Sequence, residues 1–230
     1  MSEAVQQMFA DIARHYDRLN GVLSFGLHRL WRQQAVTYSG VQPGAAILDL
    51  CSGTADLALA FARRLRGDGQ VIATDFCDAM LLRGVDKAAN LHPRPVFALA
   101  DAQYLPFGDA TFDCVTVAFG LRNVDCLSTA LREMYRVLRP GGVALVLEFG
   151  QPQGVILRRL YRLYSHYILP RVGGWVSGHR DAYTYLPRTA AAFPAGERFV
   201  SEMTAQEFVN AQARALSGGI VHLYKAMRPI

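Results

Sequence analysis

Three regularly spaced aspartates, Asp49, Asp75 and Asp101, each stand at the end of a short apolar run. Carboxylates placed there accept hydrogen bonds from neighbouring hydroxyls and draw in cations. The first is followed by "DLCSGTAD" (49–56), where Gly53 permits a tight turn and close backbone approach, with Ser52, Thr54 and Ala55 keeping the turn small. A strand, a glycine turn and a helix also describe dinucleotide sites, but an acidic rim repels a pyrophosphate. It suits a nucleoside, with Asp75 on two ribose hydroxyls and Asp101 beside the base. S-adenosylmethionine carries a sulfonium and an amino group, both cationic, and no phosphate, so it is the expected ligand. The competing account is that each aspartate caps a following helix.

The elements that must hold these acids alternate in period. Apolar runs at 46–51, 70–75, 95–101, 114–119 and 143–149 read as buried strands, and amphipathic stretches at 55–66, 78–90 and 125–138 read as the helices between them. "RPGG" (139–142) reads as a helix stop and turn. The pattern is that of an α/β fold with a parallel sheet and crossover helices. One domain is expected over 1–230, with a helical lid at 1–40, a cofactor-binding core at 46–149, a substrate-side insertion at 150–200, and a closing part at 201–230. In that last part, 201–211 reads as helix and 218–227 as strand.

Bulk properties narrow the classes. With 230 residues, 51% of them hydrophobic, the chain can build one sizeable core. The formal charge of +5 suits nucleic acid, an anionic membrane or an acidic ligand, yet no basic arm and no NPPY-like tetrapeptide appears, so no nucleic-acid partner is expected. Arg158, Arg159 and Arg162 alternate with Leu157, Leu160, Tyr161, Leu163 and Tyr164, which would let a helix lie on anionic lipid, although a solvated helix face is the commoner outcome. Four cysteines without CxxC spacing imply free thiols and no metal. No apolar run reaches membrane-spanning length, so the protein is expected to be cytoplasmic, peripheral to the membrane at most.

Nine stretches carry a more specific likeness: "YDRLNGVLSFGLHRLWR", "LDLCSGTAD", "LPFGDATFD", "FGLRNV", "MYRVLRPGG", "LEFGQP", "YSHYILPRVGG", "AYTYLPRTAAAFP" and "LSGGIVHLYKA". In order, from about residue 8 to the end, they resemble the menaquinone and ubiquinone biosynthesis C-methyltransferase family. The resemblance implies a class I, Rossmann-like methyltransferase fold with a seven-stranded, mostly parallel sheet. It also implies methylation of a ring carbon of a polyprenylated quinol. By the same resemblance the cofactor positions fall on Thr54, Asp75, Asp101 and Ala102, joined here by Asp49 and Gly53. The chain departs from the family pattern at Ser52 and Ala55, at Gly150 and Gln151 where Ser-Lys is usual, and at Ala118 where some members have serine.

For that reaction a ring carbon becomes nucleophilic once its neighbouring hydroxyl is a phenolate, and a phenol titrates near pH 10. Arg122, just beyond the fourth strand, is the expected catalytic arginine, stabilising the anion or orienting a water. A salt bridge to a strand-end carboxylate is the bland alternative. Asn123 either positions cofactor or quinol or caps the next helix. Val5, Met8, Phe9, Ile12, Tyr16 and Leu19 have helical spacing and pack inward, leaving Tyr16, Asp17, Asn20, Phe25, His28 and Trp31 as lid, with Gly21 and Gly26 as hinges. The proton acceptor stays open among His28, Asp17, Tyr183 and water. Competing functions are a small-molecule O- or N-methyltransferase and a non-catalytic quinone-pathway binding protein. A homodimer is also within the reading.

Overall fold

The computed structural model describes residues 3–152, 154–164, 167 and 180–230, the side chains at 162 and 180–184 excepted. Three helices lead the chain, α1 (Glu3–Ile12), α2 (Tyr16–Leu23) and α3 (Leu27–Ser39). The core runs β1 (Ala46–Leu50), α4 (Asp56–Leu65), β2 (Gln70–Asp75), α5 (Asp78–Lys87), β3 (Val96–Leu99) and β4 (Phe112–Ala118). A 3-10 turn (Leu121–Asn123), α6 (Leu127–Val137) and β5 (Leu138–Phe149) complete it. Then come α7 (Val155–Leu163), α8 (Arg180–Ala192), α9 (Glu197–Ala205), β6 (Val209–Leu216) and β7 (Val221–Met227).

The strands form one seven-stranded sheet in the order β3-β2-β1-β4-β5-β7-β6. β1 to β5 pair in parallel, and β7 lies antiparallel to both β5 and β6. Order reverses between β1 and β4, so the crevice for a ligand opens beyond their carboxyl ends. The central strands are apolar almost throughout because both faces are covered. Ile47, Ala73, Leu145 and Leu223 face Ala35 of α3 and Leu57, Ala58 and Phe61 of α4. The alternate residues Leu48, Leu50, Val115, Val117 and Val146 face Leu131 and Met134 of α6 and Phe199 and Met203 of α9. α4 stays helical because its apolar residues recur on one side, Asp56 sits in its first turn and Arg63 and Arg64 in its last, each complementing the helix dipole.

The expected elements from 46–51 through 125–138 each have a counterpart, with ends moved by no more than a few residues. Three expectations need correction. Residues 139–142 are no helix-stop turn but part of β5: the Gly141 N–H bonds to the Arg228 carbonyl and the Arg228 N–H to that of Gly142, so the chain end draws this segment into extended pairing. The helix expected at 201–211 stops at Ala205, and 209–211 open β6; in this edge strand the apolar side of the alternation is mostly alanine, with Asn210 and Arg214 exposed, so its strand signal is weak. The strand expected at 218–227 begins at Val221, since Ser217–Gly219 form a 3-10 turn with Gly218 at φ +67. Of the insertion, α7 and α8 are described, while 168–179, with most of "YSHYILPRVGG", lie outside the described residues. Among the described residues no helix is long and apolar enough to cross a membrane.

Candidate active site

Two chain turns meet at the crevice. After β1 the backbone passes through left-handed conformations at Cys51, Gly53 and Ala55, and after β4 at Phe119. Non-glycine residues held there store local strain, a common property of ligand-binding turns. Gly120 lets the turns approach, because a Cβ on it would sit 2.3 Å from the Cys51 Cβ. The small cleft they enclose, about 40 Å³, is lined by 51–54, Asp49, Asp75, Phe76, Ala118, Gly120 and Asn123.

Its acids are deeply buried. Asp49 accepts a 2.7 Å bond from the Thr116 hydroxyl at Oδ1, while Oδ2 has no partner among the described residues; burial pushes its carboxyl up to about 7. Asp75 accepts the N–H of Gly53 at 2.8 Å and of Cys77 at 2.9 Å, and burial, opposed by these amides, raises it to about 6. Asp101 is held differently. Although burial works against its charge, the backbone and side chain of Gln103 keep its carboxyl below the ordinary range. Asp101 and the buried Ala102 lie beyond β3 and outside the residues lining the cleft. None of the three acids is a helix N-cap: α4 starts after Ala55, α5 after Cys77 and α6 after Cys126.

A second cavity, of about 310 Å³, adjoins the first, and Phe9, Tyr16, Arg32 and Phe119 line both. Its walls are apolar and aromatic: Met8, Ile12, Leu23, Phe149, Leu157, Tyr161, Leu186 and Ile220 among others. Lid and insertion close it together, as the Tyr164 hydroxyl donates to the Leu23 carbonyl at 2.5 Å and the Tyr164 ring lies 6.3 Å from that of Phe25. Phe25, 81% exposed, marks the opening. Burial raises the phenols of Tyr161, Tyr164 and Tyr185, so these tyrosines stay neutral.

The expected catalytic residues divide between these spaces. Arg122 lines the large cavity, and the anticipated ion pair exists: Nη1 binds the fully buried Glu148 at 3.0 Å and the Phe119 carbonyl, with the guanidinium 5.3 Å from the Phe149 ring centre. Its buried Nε has no partner among the described residues. Asn123 faces the small cleft with an unpartnered Oδ1 and does not cap α6. Tyr16 stands at the junction. Asp17 lines neither space: it accepts from Thr54 Oγ1 at 2.5 Å and pairs with Lys87 at 2.9 Å, fastening α2 to the cofactor turn.

Thr54 thus lines the cleft while its hydroxyl bonds to the lid. His28 lines the large cavity, bonded through Nδ1 to Ser24 Oγ at 2.7 Å, and burial lowers its pKa. Trp31 is an anchor as well as a wall, donating to Ser217 Oγ at 2.9 Å. Gly21 lies inside α2 and is no hinge, whereas Gly26 is left-handed between α2 and α3. The side chain of Tyr183 is outside the described ones. Sequence reasoning passes over Arg32 and Glu148; an acid inside the apolar run "VALVLEF" was the available signal for the latter.

A parallel sheet reversing beside acid-lined turns is the architecture of a class I S-adenosylmethionine-dependent methyltransferase. Solved structures agree on the fold: a SAM-dependent methyltransferase from Aquifex aeolicus superposes with a TM-score of 0.59 at 14% identity, over 85% of this chain and 88% of that one. Phosphoethanolamine N-methyltransferase 2 from Haemonchus contortus, in complex with S-adenosyl-L-methionine, gives 0.63 at 13%, over 86% and 52%. The chain belongs to the ubiE/COQ5 methyltransferase family, whose model matches residues 1–228. Among its relatives are the ubiquinone/menaquinone biosynthesis C-methyltransferases of Marinomonas sp., 42% identical over 98% of this chain and 91% of the relative, and of Edwardsiella ictaluri, 43% identical over 97% and 90%.

The cleft fits the methyl donor. Two buried acceptors without partners, Asp49 Oδ2 and Asn123 Oδ1, face a space that a molecule with cationic centres and hydroxyls would satisfy.

Proposed function

We propose that the enzyme transfers a methyl group from S-adenosylmethionine to a ring carbon of a polyprenylated quinol, demethylmenaquinol foremost and 2-methoxy-6-polyprenyl-1,4-benzoquinol as a second substrate. The observation that carries this reading is the apolar cavity that shares Phe9, Tyr16, Arg32 and Phe119 with the cofactor cleft. An aromatic-walled space suits a ring and the start of a prenyl tail.

When bound, S-adenosylmethionine supplies an electrophilic methyl group on a sulfonium. Asp49, Gly53, Thr54 and Asp75 would hold it in the cleft, with Asp101 and Ala102 bordering the base. Arg122, fixed by Glu148, offers its unpartnered Nε–H to a quinol oxygen or to a water on it, favouring the phenolate. His28 then takes up the proton. Ser24 Oγ spends its one hydrogen on the Asn20 carbonyl at 2.5 Å, so it must accept from His28 Nδ1, which leaves Nε2 as the basic nitrogen. Asn123 and Tyr16 orient the reactants where the two spaces meet, and Asp17 keeps the lid in place.

Contact with a membrane surface belongs to the same proposal, since α7 exposes Val155 and Ile156 beside Arg158 and Arg159. So does a homodimer, for which the β3 edge with exposed Val96 and Leu99 offers a surface. The test is methyl transfer from labelled S-adenosylmethionine to reduced short-chain quinols, locating the label by mass spectrometry. Label on a ring carbon is expected; label on oxygen, or on neither quinol, would overturn the reading.

A further inference from the structure

The cleft that suits the cationic groups of the cofactor has to receive an anion too, because the amino-acid end of S-adenosylmethionine carries a carboxylate beside its ammonium. Asp49 and Asp75 repel that carboxylate. Among the described residues that line the cleft, the positive charge is Arg32.

Arg32 lies on α3 and is 9% exposed. Its position is fixed from several sides: Nη1 reaches the His28 carbonyl at 3.4 Å and Asp56 Oδ2 at 3.6 Å, and the guanidinium stands 5.7 Å from the Phe119 ring centre. Asp56 is not dependent on it, since Lys87 binds the same carboxylate. Nε and Nη2 make no hydrogen bond to the described residues, so their three N–H bonds, on a planar, permanently charged group, remain for a ligand. A buried guanidinium is costly unless paired and hydrogen-bonded, and its pairing with Asp56 at 3.6 Å is loose.

We propose that Arg32 binds the carboxylate at the amino-acid end of the cofactor, while Asp49 Oδ2 faces the ammonium. The cleft is thus a matched pair of opposite charges for a zwitterion, and its arginine comes from the N-terminal helices and not from the sheet. Because α3 supplies this contact, the amino-acid end of the cofactor is held between the N-terminal helices and the sheet.

The proposal rests on the methyltransferase reading, and the probes separate the two. Dissociation constants are measured by calorimetry for S-adenosylhomocysteine and for its decarboxylated analogue, which keeps the amine and loses the carboxylate. The wild-type chain is expected to prefer the first by about thirtyfold, the scale of one charged hydrogen-bonded contact. In Arg32→Met, which leaves Asp56 paired with Lys87, the preference falls to within about threefold while the analogue binds as before. Arg32→Lys keeps part of the preference and serves if the methionine variant does not fold. A purely structural arginine would weaken both ligands equally, and an unchanged ratio in either folded variant overturns the proposal. If the wild-type chain binds neither probe, the methyltransferase reading itself fails.

Discussion

The two spaces of the site are built by different means. The small cleft is made of backbone: turns after β1 and β4, held by Gly120, with Asp49 and Asp75 lifted by burial to about 7 and about 6. The large cavity is made of side chains from α1 to α3, α7 and α8, with Phe119 and Arg122 after β4, Phe149 at the end of β5 and Ile220 just before β7. The cleft therefore selects by charge, whereas the cavity selects by shape and apolar contact. Binding of the methyl donor and handling of the quinol should be separable by mutation.

The sharpest way to break that division is Arg122→Gln. Turnover should fall about 10²–10³-fold, as for loss of an anion-stabilising donor, with S-adenosylhomocysteine affinity nearly unchanged in the same preparation. Since the substitution strands the buried Glu148, the paired variant Arg122→Gln with Glu148→Gln should recover stability but not turnover. Loss of cofactor binding would place Arg122 in the wrong space.

Asp75→Ala tests the opposite half. Two backbone amides lose a carboxylate acceptor, and cofactor affinity should drop about a hundredfold, with the quinol KM little altered at saturating cofactor. Calorimetry and steady-state kinetics together decide it.

Protonation sharpens the contrast further. Folded-state values above the unfolded ones mean that this contribution to the stability of the ligand-free protein is fully present below about pH 4, where both states hold the protons of Asp49 and Asp75, and is lost as pH rises to about 6 to 7. A cationic ligand prefers the ionised acids. Affinity for S-adenosylmethionine should accordingly rise about tenfold from pH 6 to pH 8 with proton release, and the rise should flatten in Asp49→Asn. Affinity that falls over this range would contradict the assignment.

The smallest effect concerns the cavity opening. Leu160 is 58% exposed yet lines the cavity. Leu160→Asp should raise KM about fivefold for a long-tailed quinol and leave a tail-less ring unaffected, since only apolar contact of about 1 kcal/mol is lost.

The same division explains what could be read from the sequence. Strands buried on both faces, and acids at their ends, are local signals, so β1, β2, β4 and the aspartates 49 and 75 stand out. The cavity depends on contacts far apart in the chain, such as Tyr164 with Leu23 and Trp31 with Ser217, which no local period records. Arg32 looks like one more surface base on an amphipathic helix until α3 packs on α4. Asp17 is the reverse case: its place in a lid motif suggests chemistry, and in the structure Thr54 and Lys87 engage both its oxygens. β6 was hidden by its exposure at the sheet edge.

At the other end of the sheet crevice, Gly150 sits against β7: a Cβ there would fall 2.1 Å from Nδ1 of the buried His222 and 2.8 Å from the Gly219 carbonyl. Position 150 is thus closed twice, by a ring on β7 and by main chain beside it, so that a smaller residue at 222 alone does not open it. A library randomised at 150 should return glycine in its folded members, whether or not 222 is randomised with it, because the Gly219 carbonyl is main chain.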